Sequence, residues 1–453
     1  MIFRLPKETE ITLELLGKYL EEHRKQISEY EKLKNAYESK HDILYQAAKP
    51  KYKPDNRIVI NFAKYIVDTM NGFFIGNPIK IVAEDAAVSD YVEYLDRYND
   101  QDDNNAELSK ICSIYGHGFE MYYTDEEAEL CITYLSPIEA FMLYDDSIIE
   151  RPLAFVRRYT DNNNIEWGSV SNKYGVRHFK ITGGLQWMDE DWQPHNFGDV
   201  PANEYIENAE RQSLFMPVLT AINAYNKAIS EKANDVDYFA DAYMKILGTK
   251  IDNDDIKSIR DNRIINFAGE ASEKLVVEFM GKPESDTAQE NLLNRLERLI
   301  FHISMVANIS DENFGTSSGI AMKYKLQAMS NLEKNKRRKF TSGLNRRYKL
   351  LFGHPASKAP ADAWVQLDYQ FTPNIPANML EEAQIAAQME GITSHETQLK
   401  ILSVVENVQD ELDKIGEESK AYEDSAIDHM MFAGGNDADD ADDAEGADDG
   451  TEE

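Results

Sequence analysis

Apolar residues recur every three or four positions over residues 8–46. Leu13, Leu16, Leu20, Ile27, Tyr30, Leu33 and Tyr37 stand among many charges there, and the spacing predicts an amphipathic helix. Pro50 and Pro54 break the pattern. Asn61 to Met70 then reads as a short buried helix, with Gly72, Gly76 and Asn77-Pro78 as turn residues and a strand beginning at Ile79. Residues 107–123 repeat the plan: a helix, Gly116 and Gly118, then an apolar strand. Over 129–192 the apolar runs shorten to LCITYL, IEAFMLY, LAFVRRY, RHFKIT and LQWM, separated by TDNNN and TGG, which predicts an antiparallel meander. Residues 196–210 read as a polar connector.

From residue 213 the period lengthens. Val218, Ile222, Tyr225, Ile229, Ala233, Val236 and Ala240 predict a long helix, and 243–282 a small β-rich insert. A second helix follows over 286–307, where Leu292, Leu296, Leu299, Ile303 and Val306 form a heptad-like stripe. A third is expected from about Ser318 to Leu351, roughly 50 Å long at ~1.5 Å per residue. Residues 364–371 alternate apolar and polar and predict one more strand. Two short helices come next: Gly391 stops the first, and Thr393 with Glu396 makes a T-x-x-E capping box for the second. From 434 the composition is Gly, Asn, Asp, Ala and Glu, which predicts disorder. The fold class expected is α+β.

Length and charge narrow the classes. At ~150 residues per domain, 453 residues suggest about three domains. The formal net charge is −33, and the final twenty residues hold ten acids and no base. Such a chain is ill suited to wrapping nucleic acid, because phosphate binding draws its affinity from Lys and Arg. The opening MIFRLPKETE is charged within a few residues, and no apolar run approaches ~18 residues, so neither a signal peptide nor a membrane span is expected. Cys112 and Cys131 have no metal-like spacing, which fits an intracellular, reducing setting where the sequon at Asn308 carries no meaning.

Candidate chemistry is sparse. SDENFGTSSGIA (310–321) has the polar, glycine-bearing look of a phosphate loop. A P-loop needs G-x-x-x-x-G-K-[ST], however, and here Gly315 and Gly319 are four apart with Ile320 where Lys belongs. It reads instead as a helix–helix loop in which Ser317 or Ser318 caps the following helix. IDNDDIKS (251–258) lacks EF-hand spacing and reads as a solvated turn. His117, between two glycines, reads as a turn histidine. G-x-S-x-G, H-E-x-x-H and C-x-x-C are absent, so no catalytic residue, metal or cofactor is expected. Lys334, Lys336, Arg337, Arg338, Lys339, Arg346, Arg347 and Lys349 form the strong basic cluster, too many for one helix face. Three readings stay open: contact with phosphates, pairing with acids of a neighbouring subunit, or a solvated helix balancing the acids of 381–425.

The order of elements carries a resemblance. NRIVINFAKYIVDTMNGFFIGNPIKI (56–81), SEKANDVDYFADAYMKILG (230–248) and NISDENFGTSSGIAMKYKL (308–326), in this order and spacing, make the chain similar to the portal proteins of tailed bacteriophages, in the siphophage branch. The resemblance implies a ring, typically of twelve copies, at one capsid vertex in the virion. It implies a wing (1–212), stem helices (213–242 and 286–308), a clip (243–285), a tunnel loop (309–318), a spine helix with the rest of the wing (319–376) and a helical crown (377–433). The acidic tail, 434–453, has no role in that scheme. Double-stranded DNA would pass without sequence specificity, near Asp311, Glu312, Asn313, Phe314, Gly315, Thr316, Ser317 and Ser318. The stripe Leu292–Val306 would pack partly on the neighbouring subunit. Implied partners are a separate packaging ATPase (terminase), a head-completion adaptor, and capsid and scaffolding proteins, with assembly in the host cytoplasm. Two other readings stand beside this one: a different virion assembly or adaptor protein, and a metal-dependent nuclease using the acidic clusters.

Overall fold

Thr12 starts the first long helix by accepting a hydrogen bond from the Leu15 N–H at 3.2 Å. Helix α1 (Leu13–Tyr37) buries Leu16, Leu20, His23 and Leu33 and ends where Ser39 takes a φ of +66°. It is therefore shorter at both ends than its periodicity suggests. The computed structural model describes residues 2–50, 53–240, 244–247, 276–279, 286–309, 322, 324–374, 379–402, 404–405 and 408–433. The chain divides into two units, 1–374 and 375–453.

Asn61 caps α2 (Phe62–Ile75) by accepting from the Lys64 N–H. The helix runs through Gly72, so the expected turn falls at Gly76 instead. Helices α3 (Ala86–Tyr98) and α4 (Gln101–Tyr115) follow, and α4 ends at Gly116, whose φ is +89°. A Cβ there would stand 2.1 Å from the Arg211 carbonyl oxygen, so both the conformation and the close approach require glycine.

Strands β1 (Phe3–Leu5), β2 (Lys80–Val82), β3 (His117–Thr124), β4 (Leu130–Leu135), β5 (Ala140–Asp145), β6 (Pro152–Thr160), β7 (Glu166–Ser171), β8 (Val176–Lys180), β9 (Gln186–Trp187) and β10 (Ala202–Ile206) build most of the first unit's sheet structure. The six-stranded sheet has the order β1-β5-β6-β7-β8-β9, with β1 parallel to β5 and the rest antiparallel. The meander is thus β5–β9. LCITYL belongs to a second, three-stranded sheet of order β10-β3-β4. Its third member, β10, lies inside the supposed polar connector. Hydropathy hides it because Asn203 is buried beside Ala202 and Tyr205, and Glu204 is itself enclosed.

The long helices are α5 (Leu219–Ala240), α6 (Asp286–Ser304) and α7 (Gln327–Phe352). Between α5 and α6, strands β11 (Met244–Leu247) and β12 (Val276–Phe279) pair antiparallel. The acidic run 251–258 and the loop 310–321 lie outside the described residues, as does most of the expected start of the third helix. Strand β13 (Asp368–Gln370) pairs with β2, while Ala363–Gln366 forms a 3-10 turn, so only the second half of 364–371 is strand. A core of Ile66, Val67, Met70 and Phe74 from α2 and Phe340 and Leu344 from α7 joins the helices.

In the second unit, α8 (Met379–Gln388), α9 (His395–Leu399) and α10 (Val408–Ala433) follow one another. Ser394, rather than Thr393, caps α9, accepting from the Thr397 N–H at 3.4 Å. Residues 434–453 lie outside the described residues.

Candidate functional site

The helix pair α5/α6 is built on aromatic edges and polar ties. Phe62 stands edge-on to Tyr225 and to Phe301, with ring centroids 5.0 and 5.7 Å apart. Gln289 Nε2 donates to Asp235 Oδ2 at 2.9 Å, and Lys232 pairs with Glu290. On α6 the predicted stripe divides. Leu293 and Ile300 face inward and Val306 is buried beyond the helix end, but Leu292 is 50% exposed, Leu299 38% and Ile303 49%. Leu296 is half-buried. At ~3.6 residues per turn, Leu292, Leu299 and Ile303 share a face about a quarter-turn from the buried one. Among the described residues, one apolar face of this helix is therefore left uncovered.

On α5 the inward positions match the apolar spacing at Ile222 and depart from it beyond that residue. Its buried face is Ile222, Asn226, Ser230 and Asn234, while Val236 is exposed. These polar side chains serve alternate backbone N–H groups of residues 56–60. Asn56 N donates to Asn234 Oδ1 at 2.6 Å, Ile58 N to Ser230 Oγ at 2.9 Å and Ile60 N to Asn226 Oδ1 at 2.8 Å. Four residues of helix advance ~6 Å and two of extended chain ~6.6 Å, so the spacings match. The helix supplies the acceptors that a neighbouring strand otherwise would.

The basic cluster on α7 divides as well. Lys336 is buried and donates to Glu207 Oε2 and Ser113 Oγ, each at 2.6 Å, and to the Ser109 carbonyl at 3.1 Å. Arg347 is fully buried. Its Nε donates to Glu120 Oε2 at 3.0 Å, and its Nη2 donates to Asn105 Oδ1 at 2.6 Å and pairs with Glu120 Oε1. Burial alone would favour loss of the Arg347 proton, but the Glu120 carboxylate outweighs it and the group stays charged. Arg346 reaches Asp199 at 3.1 Å, and Arg337 lies on Glu333 one turn back. Lys334, Arg338 and Lys349 are exposed, and Lys339 is half-buried. Neither a DNA-facing role, nor pairing across subunits, nor balance with 381–425 describes Lys336 or Arg347. They clamp the long helix to α4, β3 and the segment after β10. Nothing in their sequence spacing separates them from the exposed bases. Glu120, Glu207 and Glu204 were missed because their buried surroundings are set by strand pairing.

His117 is not in a turn. It lies in β3, buried, with Nε2 2.9 Å from the Tyr30 hydroxyl and Nδ1 2.7 Å from Glu204 Oε1. Arg211 binds both oxygens of Glu204 at 2.7 Å, and the Tyr144 hydroxyl bonds it too. Burial would raise the Glu204 pKa, yet Arg211 and His117 hold it well below the usual carboxylate range. A carboxylate so fully engaged is a poor proton acceptor, and the cluster reads as an anchor. Among the described residues no group of three or more His, Cys, Asp or Glu could hold a metal ion, and no helix is long and apolar enough to cross a membrane. Both cysteines are free and buried.

Comparison with known proteins adds to this geometry. The family described as "Phage portal protein, SPP1 Gp6-like" matches residues 16–425. The portal protein of Bacillus phage SPP1 is 24% identical over 445 residues, covering 90% of this chain and 86% of that protein. The portal protein of Clostridium phage phiCD119 is 22% identical over 324 residues, covering 70% of this chain and 66% of that protein's own length. A chain from the neck of a native GTA particle computed with C12 symmetry aligns with a TM-score of 0.47 and 13% identity, covering 75% of this chain and 89% of that one.

Proposed function

The chain belongs to the phage portal protein family of the SPP1 Gp6-like type, and from that premise we propose that it forms a closed ring at one capsid vertex, through which double-stranded DNA is packaged and ejected. The observation that carries the reading is the second apolar face of α6. Leu292, Leu299 and Ile303 are exposed on the single subunit, although the same helix buries Leu293 and Ile300. Cyclic rings use head-to-tail interfaces, in which one patch docks on a different patch of the next copy. An uncovered apolar stripe at heptad spacing is suited to that.

In this scheme α5 and α6 are the stem, 243–285 the clip, 309–318 the tunnel loop, α7 the spine and 377–433 the crown. Residues 311–318 would meet the duplex, and the net charge of −33 keeps the passage from gripping it. Of the eight bases on α7, Lys334, Arg338 and Lys349 are exposed, and they are left to meet phosphate or a neighbour's carboxylate. The energy for packaging would come from a separate ATPase docked at the clip, with a head-completion adaptor taking its place later. Capsid and scaffolding proteins would surround the wing. Leu299→Asp with Ile303→Asp tests the stem assignment: the exposed positions predict a folded subunit that no longer closes into rings, read by light scattering and negative-stain images. Intact rings in that variant would remove the assignment.

A further inference from the structure

A cleft of about 580 Å³ opens between the outer half of the six-stranded sheet and the three-stranded sheet. Its volume falls in the roughly 300–1,000 Å³ range of small-ligand sites. Strand register builds its floor. Arg157 on β6 is paired with Ser169 on β7, and Ser169 with His178 on β8. Ser171 is two residues further along β7 and so lies on the same face. Tyr123 and Thr133, from β3 and β4, line the opposite side.

Three observations converge here. First, no Asp or Glu among the described residues lines this cleft, although the chain carries 81 of them. The nearby Asp189 is committed to His178, whose backbone N–H and Nδ1 it meets at 2.6 and 2.8 Å, and to Gln193. Second, Arg157 has no acceptor among the described residues. Its Nε is buried without a partner, and its guanidinium lies on the Tyr159 ring, 4.8 Å from the centroid. Stacking occupies one face of the guanidinium and leaves its N–H fork unused. Third, Ser169 and Ser171 line the cleft, and no side chain or backbone group among the described residues takes up either hydroxyl, which stays open to the cleft. A buried group such as the Arg157 Nε is normally paired, so an unused fork beside two cleft-facing hydroxyls is a donor set without its acceptor. His178 adds a ring nitrogen, oriented by Asp189 from the other side. Adjacent strands stand ~4.8 Å apart, which lets one small anion reach Arg157 and Ser169 together.

We propose that this cleft is an oxyanion site, taking the phosphate or carboxylate group of a ligand, with Arg157 as its principal cation and Ser169 and Ser171 as neutral donors. An Arg fork with flanking hydroxyls matches the acceptor geometry of either group. The site is separate from the stem and stands or falls independently of ring formation.

The test is isothermal titration calorimetry of the full chain at constant ionic strength, with inorganic phosphate in one arm and succinate in the other. Saturable heat is expected for at least one anion, and the arm that shows it identifies the source chemistry. Arg157→Gln should weaken binding at least about tenfold, the scale of a charged hydrogen bond, and Ser169→Ala severalfold. Arg4→Gln, at an exposed ion pair with Glu150, should change nothing. A thermal unfolding curve without ligand checks that each variant folds. Should Arg157→Gln not fold, Ser169→Ala carries the test, and wild-type binding in it overturns the site. Absence of saturable binding in both arms, or binding undiminished in a folded Arg157→Gln, also overturns it.

Discussion

Replacing Arg347 with Met should be among the most damaging single changes in the first unit. The side chain is fully buried, and it faces Glu120, itself 1% exposed. Met fills similar volume without charge, so the change leaves the Glu120 carboxylate no cation, with the Tyr122 hydroxyl still donating to it at 2.9 Å. Asn105 Oδ1 loses its donor too. Stranding one member of a buried pair costs about 3–5 kcal/mol. At 1.4 kcal/mol per decade that is roughly a 150- to 4,000-fold rise in the open population. Since whole domains are stable by only ~5–15 kcal/mol, the change is a large share of the total. Removing both charges, as Arg347→Met with Glu120→Gln, should recover at least half of the loss, because no charge is then left unpaired. The assay is hydrogen exchange by mass spectrometry in rising urea, following peptides from β3 and from α7. An Arg347→Met variant within about 1 kcal/mol of wild type would show that the pair does not hold the long helix to β3. A double variant as unstable as the sum of the singles would show that the two residues act independently.

Ser230→Ala leaves the Ile58 N–H without its acceptor and should cost about 1–3 kcal/mol, with faster exchange confined at first to residues 56–60 and α5. Gly343→Ala places a Cβ 2.3 Å from Cε1 of the buried Tyr205 ring and should cost about 1–3 kcal/mol by overpacking, measured as a lower urea midpoint. Burial lowers the His23 pKa from 6.5 to about 4. The folded imidazole therefore stays neutral down to about pH 4 while the unfolded one protonates below 6.5, and about 3 kcal/mol is lost as pH falls from 6.5 through about 4. Burial raises Asp96 to about 6, and that group acts in the opposite sense over part of this range. The His23 contribution is accordingly read as the difference between the pH–stability curves of wild type and His23→Gln, which should converge toward pH 4.

Much of the helical framework was legible because α1, α2, α6 and α7 carry apolar residues at helical spacing. Strands β4, β5, β6, β8 and β9 were legible through β-branched and aromatic runs between turn residues, whereas β7, with Gly168, Ser169 and Ser171 among its six residues, was not. What escaped was structure made by polar residues. Strand β10 contains Asn203 and Glu204, whose burial depends on β3 and Arg211, partners distant in sequence or hidden in a supposed loop. The inward face of α5 escaped for the same reason: Asn226, Ser230 and Asn234 look like a solvated stripe until the segment 56–60 is laid against them. Periodicity also could not tell which of two apolar faces of α6 is covered within the subunit, since Leu292 and Leu293 are equally apolar. The same holds for α7, where Lys336 and Arg338 are both basic and only one is buried. The segment NRIVINFAKYIVDTMNGFFIGNPIKI, part of the family resemblance, holds the stretch 56–60 bound to α5, then α2 and the start of β2.

The central claim is that copies of this chain close into a ring around a channel. It is tested most directly by the solution mass of the purified full chain, from light scattering behind a sizing column, together with negative-stain images of the same peak. A mass of many times 51.8 kDa, near twelvefold, is expected, with particles that show a central hole. A peak that stays at the mass of one or two chains, and yields no rings after capsid and scaffolding proteins are added, would contradict it.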